Sequence, residues 1–186
     1  MLGHFLRRLI SNLGLFVIKQ FSIDNDNLII KIKVNMTEKE RNKWERKGPP
    51  KKLMRFITSL QAFFYKASKG KLWSTIKGCD ICVVHMKGAK TGKKRVVPLM
   101  YIPYEKGVIL VASLGGADVH PTWFWNLKKN PEIEVFVGSE KLTLRAEQVE
   151  NQIKSDLWPL ICSCYPDYEN YQKSTQRNIP VFNCQP

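Results

Sequence analysis

Three tyrosines recur at a spacing of three near the end of the chain, in Tyr165-Pro166-Asp167-Tyr168-Glu169-Asn170-Tyr171. On one helical turn or a tight loop, residues three apart share a side. A tyrosine offers a flat apolar face and a proton donor, which suits an aromatic or quinonoid substrate. The same trio serves equally well as a structural latch, because a buried tyrosine ordinarily packs. A second group is the basic turn Gly88-Ala89-Lys90-Thr91-Gly92-Lys93-Lys94-Arg95, and a third is the flexible loop Ser113-Leu114-Gly115-Gly116. Backbone N–H groups of a Gly-rich loop approach a phosphate closely, and Lys or Arg supplies the charge. A solvated hairpin tip accounts for the basic turn more simply. Core packing likewise accounts for Trp123, Phe124 and Trp125.

Other chemistries are excluded by spacing. The basic turn is not a P-loop, which needs four residues between its glycines and a hydroxyl after the lysine. Val111-Ala112-Ser113-Leu114-Gly115 lacks the first glycine of a nucleophile elbow. Cys79-Asp80-Ile81-Cys82 is a lone C-x-x-C, and Cys162-Ser163-Cys164 has the wrong spacing to complete a zinc site. Five cysteines do not close a disulfide framework, so a reduced chain in the cytoplasm is expected.

The elements that must position these groups follow from periodicity. Residues 1–21 carry Leu2, Phe5, Leu6, Leu9, Leu13, Phe16 and Val17 at helical spacing beside Arg7, Arg8 and Lys19. This predicts a basic amphipathic helix suited to an anionic membrane surface, with a helix docked on the protein's own core as the rival. A signal peptide is disfavoured, because no small-x-small cleavage site follows. Residues 22–50 read as a peripheral connector, with a strand-like Leu28–Val34 and a helix opened by the capping box at Thr37 and Glu40. A second amphipathic helix is predicted over 53–68, stopped by Gly70. From Asp80 the period becomes that of strands: 80–86, 95–104 with an edge or bulge at Pro98, 108–113, 133–137, 142–149 and 179–184. Helices are predicted at 121–129 and 151–164, and an aromatic loop over 165–178. Strands joined as hairpins predict an antiparallel barrel with helices at its edges.

Charge is lopsided across the 186 residues: residues 1–95 hold 22 of 30 Lys and Arg but only 6 of 16 Asp and Glu. Such a half gathers anions, whether lipid head groups, a phosphorylated cofactor or nucleic acid.

Residues 88–95 with Pro98-Leu99, the run Val111–Gly116, the run His120–Leu127 with Asn130-Pro131, and the Tyr165–Tyr171 segment with Ile179-Pro180-Val181 together resemble the deazaflavin-dependent nitroreductases. These use coenzyme F420. The resemblance covers residues 51–186 and leaves 1–50 as an N-terminal extension. It implies an α+β fold, a split β-barrel of the FMN-binding-like type with about six mostly antiparallel strands and peripheral helices. It further implies hydride transfer from reduced F420 to a quinone-like or nitroaromatic acceptor. By resemblance, Lys90 and Arg95 meet the cofactor phosphate, and Arg95, Val96, Val97, Pro98, Leu99 and Met100 line the cofactor. Ser113, Leu114, Gly115 and Gly116 complete the groove with Trp123, Phe124, Trp125 and Asn126. Tyr165, Tyr168 and Tyr171 line the substrate mouth beside Ser113, Tyr168 also facing the cofactor. Leu114 departs from the pattern, which often has a lysine there. The extended N-terminus adds the expectation of peripheral contact with the inner face of the membrane, where quinones reside. FMN or haem in the same barrel, and a non-catalytic basic lipid- or nucleic-acid-binding module, are the alternatives, with nucleic acid the weaker partner.

Overall fold

The computed structural model describes residues 17–24, 27–34, 38–48, 51–71, 74–76 and 78–186. The chain divides into two units, residues 1–44 and 45–186.

In the first unit, β1 (Val17–Asp24) and β2 (Asn27–Val34) form an antiparallel hairpin, with Val17 opposite Val34 and Asp24 opposite Asn27. The strand expected at 28–34 is present. The amphipathic helix expected over 1–21 is not continued through its last residues: Val17–Phe21 are strand. Val17, Ile18 and Phe21 are strong strand formers, and the Leu28–Val34 run gives them a partner. Residues 1–16 lie outside the described residues. Helix α1 (Glu38–Lys47) lies where the charged helix was expected, and the capping residue Thr37 lies outside the described residues.

The second unit begins at Glu45 and contains α2 (Lys51–Ala67). Gly70, at φ 81°, ends the α2 segment by donating to the Tyr65 carbonyl at 2.8 Å, and it lies so close to Gly138 that a Cβ would meet the Gly138 Cα at 2.4 Å. Only glycine fits there. Tyr65 ties α2 to the sheet by donating to the Ile81 carbonyl and accepting from the Gly138 N–H.

The sheet comprises β3 (Thr75–Ile76), β4 (Cys79–Lys87), β5 (Lys94–Met100), β6 (Ile102–Tyr104), β7 (Gly107–Val111), β8 (Glu132–Val137), β9 (Glu140–Gln148) and β10 (Val181–Gln185). Its order is β3-β4-β8-β9-β10-β7-β6, with β5 on the other side of β4, and every pairing is antiparallel. The strand expected over 95–104 breaks at Tyr101 into β5 and β6. Consecutive in the chain, these two stand at opposite ends of the ladder, and β5 touches β7. The sheet therefore curls until its ends approach, which is the split barrel. Strand β5 pairs only with β4, so Pro98, opposite Val83, costs no ladder hydrogen bond.

Alternation along the strands separates the barrel interior from two outer clusters, one of which joins Ile81 and Val83 to Ala62 and Tyr65 of α2. Cys82, Val84, Met86, Val108, Leu110, Val135, Leu144, Phe182 and Cys184 fill the barrel, closed by Trp123, Phe124 and Leu127 of α3 (Thr122–Lys129). On the outer face, Ile109, Val111 and Val181 pack against Leu157 and Ile161 of α4 (Asn151–Cys164). Each such side chain contributes about 1.5–3 kcal/mol when fully buried. A short helix α5 (Asp167–Lys173) follows, where the sequence predicted an aromatic loop. Pro166 at its start and the acidic first turn, Asp167 and Glu169, suit a helix N-terminus.

Candidate functional site

The β4–β5 turn is closed by the Gly88 N–H on the Lys93 carbonyl and the Gly92 N–H on the Gly88 carbonyl, both 2.9 Å. Asn126, buried on α3, accepts the Ala89 N–H through Oδ1 at 2.9 Å. Arg95 Nη2 donates to Thr91 Oγ1 at 3.1 Å, and a Cβ on Gly88 would come within 3.2 Å of Arg95 Nε. The turn is thus a fixed platform under Arg95. Lys94 is paired with Glu134 at 3.6 Å. Among the described residues, no carboxylate pairs with Lys90, Lys93 or Arg95. Along β5, Val96, Val97, Leu99 and Met100 are only half-buried while Pro98 is buried, so this edge strand leaves apolar surface open beside the cations.

Helix α3 divides its aromatics. Trp123 and Phe124 are buried in the barrel, Trp123 near the Phe182 ring at 6.0 Å, where they serve packing. Trp125 alone is open, at 55% exposure. His120 stacks on Phe124 at 4.3 Å and meets Trp125 edge-on at 5.8 Å. Burial and Arg177 lower its pKa, keeping it neutral.

The loop after β7 is a left-handed turn. Ser113 is right-handed helical, and Leu114, Gly115 and Gly116 follow at φ 49°, 65° and 80°. Glycine enters that region freely, whereas Leu114 costs roughly 1–2 kcal/mol. The turn closes through the Gly116 N–H on the Ser113 carbonyl at 3.1 Å and the Ala117 N–H on the Leu114 carbonyl at 3.3 Å. The N–H groups of Leu114 and Gly115 have no hydrogen-bond partner among the described residues. A right-handed residue followed by left-handed ones makes a concave nest of N–H groups that suits an anion or a carbonyl oxygen. A Cβ on Gly116 would strike Ser174 Oγ at 2.1 Å and the Tyr171 Cα at 3.1 Å, so the loop is seated directly on α5.

The tyrosine trio is brought together as its spacing predicts. Ring centroids are 5.1 Å apart for Tyr165 and Tyr168, 6.1 Å for Tyr165 and Tyr171, and 6.2 Å for Tyr168 and Tyr171. The Tyr165 hydroxyl lies 3.0 Å from Asp167 Oδ2, to which it donates, and 3.2 Å from the Tyr171 hydroxyl. Tyr165 and Tyr168 are buried in the outer core, and only Tyr171 is half-exposed. Burial raises the pKa of both buried phenols. Tyr168 has no hydrogen-bond partner for its hydroxyl among the described residues. Met100 of β5 packs on the same cluster and joins the strand to the tyrosines.

One central residue is absent from the sequence reading. Arg177 donates from Nε to the Ala117 carbonyl at 2.7 Å and from Nη2 to the Ala112 and Ser113 carbonyls at 3.1 and 2.5 Å. Its Nη1 faces His120 Nδ1 at 3.3 Å. The only signal was an arginine, four residues after Lys173, in a polar stretch between the tyrosines and the last strand. The cysteines offer nothing comparable. Cys79 and Cys82 point to different cores, and burial pushes the Cys82 thiol up to about 12. Among the described residues, no group of three His, Cys, Asp or Glu is placed to hold a metal.

Residues 57–186 match the family model described as F420H(2)-dependent quinone reductase. The chain belongs to the F420H(2)-dependent quinone reductase family. It is 32% identical over 129 residues to an F420H(2)-dependent quinone reductase of Mycobacterium tuberculosis (strain ATCC 25618 / H37Rv), a match covering 67% of this chain and 87% of the relative. A solved F420-H2 dependent reductase is 41% identical with a TM-score of 0.52, covering 55% of this chain and 90% of that one. Another solved chain, described as a domain-swapped dimer, is 32% identical with a TM-score of 0.55, covering 72% and 98%. Like the rest of its family, this chain is an oxidoreductase that depends on reduced coenzyme F420 and passes hydride to a quinone-like acceptor. The split barrel agrees with that membership. The residues present also fit such a cofactor: cations without carboxylate partners among the described residues suit a phosphate and an acidic tail, open apolar strand surface suits a flat ring, and loop N–H groups without a partner among those residues suit ring oxygens. No helix among the described residues is long and apolar enough to cross a membrane.

Proposed function

We propose that the F420H(2)-dependent reductase site of this chain runs along β5, from the β4–β5 turn to the Ser113–Gly116 loop, with the acceptor entering beside α5. The observation that carries this reading is the set of Lys90, Lys93 and Arg95, without carboxylate partners among the described residues, at the head of a half-buried apolar edge strand. When bound, reduced F420 supplies the hydride. Lys90 and Arg95 hold its phosphate by charge-assisted hydrogen bonds. Val97, Leu99 and Met100 support the ring system, and Trp125 offers an open face beside it. The Leu114 and Gly115 N–H groups orient the ring oxygens. Tyr171 meets the acceptor first, being the accessible member of the trio, and Tyr165 hydrogen-bonds behind it. Tyr168 forms the floor and, through its unpartnered hydroxyl, is the proton donor for an acceptor that opens the cluster. Nitroaromatics are a second acceptor class for the same mouth.

The test is titration of the purified protein with reduced F420, reduced FMN and NADPH, with menadione present as the quinone. Saturable binding and oxidation of reduced F420 alone is the expected result. Turnover with reduced FMN in preference to F420 overturns the cofactor assignment. The basic residues at 7, 8 and 19 support peripheral contact with an anionic membrane. Deleting residues 1–16 is expected to abolish sedimentation with phosphatidylglycerol vesicles and to leave menadione reduction in solution intact; vesicle binding that survives the deletion removes that role.

A further inference from the structure

Arg177 is half-buried and directs its guanidinium at main-chain carbonyls. Its side chain meets three main-chain carbonyls, Ala112, Ser113 and Ala117, and those carbonyls bracket the Leu114–Gly116 turn from both sides. Its own backbone is held from α5, where Gln172 Nε2 donates to the Arg177 carbonyl at 3.0 Å. Gln172 in turn accepts from Lys154 Nζ at 2.9 Å and from the Ile179 N–H at 3.0 Å, so it is a fixed post rather than a mobile side chain. Among the described residues, Arg177 makes no ion pair; Asp118, which accepts from Thr175 Oγ1 at 3.0 Å, is the nearby carboxylate. A half-buried guanidinium solvated by carbonyls is costly for a surface-type residue, and the planar fork is what lets one side chain reach three acceptors at once.

The turn it grips is one the sequence does not favour. Leu114 sits at φ 49°, where a side chain is strained, and two N–H groups in that turn have no hydrogen-bond partner among the described residues. Isolated, such a loop relaxes toward right-handed or extended backbone. Fixing the carbonyls at 112, 113 and 117 holds the peptide planes in place, and the positive charge behind them reinforces the N–H nest in front.

We propose that Arg177 is a positioning residue for the reductase reaction: by clamping the Ala112, Ser113 and Ala117 carbonyls to α5, it keeps the Leu114 and Gly115 N–H groups set for the cofactor and the loop in register with the tyrosines. This rests on the site assignment under Proposed function for its cofactor half, but not for its effect on the loop.

The experiment uses the full chain and the variants Arg177→Gln and Arg177→Lys. Amide hydrogen exchange over 112–117 is measured by mass spectrometry, and F420 affinity by quenching of the cofactor's fluorescence. Exchange in Arg177→Gln is expected to accelerate about tenfold or more in this segment and not in β8 or β9, with F420 affinity falling by about tenfold or more. Arg177→Lys, which keeps charge but not the fork, is expected to fall between. Free guanidinium ion at millimolar level is expected to restore part of the affinity of Arg177→Gln, which a general loss of fold does not allow. If Arg177→Gln does not fold, Arg177→Lys carries both readouts. Unchanged exchange at 112–117 overturns the clamp. Faster exchange with unchanged F420 affinity overturns its role in the reaction. If the parent chain itself does not bind F420, the site assignment and the cofactor half of this proposal fail together, and exchange alone decides the clamp.

Discussion

Asn126 Oδ1 accepts the Ala89 N–H at 2.9 Å, joining α3 to the basic turn across 37 residues of chain. Asn126 is buried and Ala89 half-buried, so the turn is held from the protein side. The Asn126→Ala variant leaves the Ala89 N–H without its acceptor. A loss of about 0.5–1.5 kcal/mol in stability is expected, the net worth of a hydrogen bond whose half-buried donor regains water in part. Denaturant unfolding measures it. F420 affinity should fall as well, because Lys90 and Arg95 ride on that turn; a variant destabilised but binding normally would separate the turn from the cofactor.

Two neighbouring cations in β5 should respond differently to truncation. Arg95 is fixed by Thr91 and has no carboxylate partner among the described residues, whereas Lys94 is already engaged by Glu134. Arg95→Ala is expected to weaken F420 binding by about 1.5–3 kcal/mol, the range for hydrogen bonds to charged groups, and Lys94→Ala by much less. Raising the salt concentration should weaken the parent more than Arg95→Ala, since screening acts on the charge that the variant has already lost. Equal effects of the two substitutions would place the phosphate elsewhere.

Much of this geometry was legible in the sequence, because local chemistry and tertiary structure agreed. Pro98 marked an edge strand, Gly70 a helix end, and the spacing of Tyr165, Tyr168 and Tyr171 a shared side; each holds. What escaped was long-range. The Asn126–Ala89 bond and the Arg177 clamp join residues 37 and 60 to 65 apart, and no periodicity reports on such pairs. The division of Trp123, Phe124 and Trp125 into two buried rings and one open ring depends on how α3 meets the barrel. Strand β1 was missed because Val17–Phe21 fit a helical apolar face as well as a strand, and only the pairing with β2 decides between them.

His85 gives the fold a pH dependence of definite sign. It is buried on β4, with Nδ1 3.3 Å from Glu134 Oε2, Lys66 Nζ 3.4 Å from Nε2, and the Phe136 ring centroid 4.5 Å away. Burial, then Lys66 and Lys94, lower its pKa, and Glu134 opposes them only in part. The folded chain therefore binds fewer protons here than the unfolded chain near the ordinary histidine value of about 6.5. The resulting stability is present above that value and is lost as pH falls through the lowered folded one. Glu134, held down to about 2 chiefly by Lys141, adds a loss of the same sign further into acid. The melting temperature should fall between pH 7 and pH 5, and the fall should be smaller in His85→Gln, which keeps a neutral polar group. Parallel pH profiles for parent and variant would show that His85 contributes none of it.

Tyr168 presents the sharpest choice, because its ring is packed while its hydroxyl has no hydrogen-bond partner among the described residues. The residue is 3% exposed, its ring meets Tyr165 and Tyr171, and it packs with Ile102, Ile109 and Val181 of the outer core. A phenol buried without a partner costs stability, and burial holds its proton in place. Such a group is either a tolerated defect of the core or a donor awaiting an acceptor. Replacing it with phenylalanine separates the two. If the hydroxyl is idle, Tyr168→Phe removes an unsatisfied polar atom, so the protein gains stability and turns over menadione at the parent rate. If the hydroxyl donates the proton, the same variant loses about 10²-fold or more in turnover, the lower end for general acid catalysis, while F420 affinity stays near that of the parent. The second result is expected. Tyr168→Ala should be slower still and also destabilised by about 3–5 kcal/mol, as for other large aromatic truncations in a core. Tyr171→Phe supplies the control: the half-exposed ring stays and only its hydroxyl contact to Tyr165 is lost, so the Michaelis constant for the quinone should change little. A large loss in Tyr171→Phe with none in Tyr168→Phe would transfer the donor role to the accessible tyrosine and leave Tyr168 as packing.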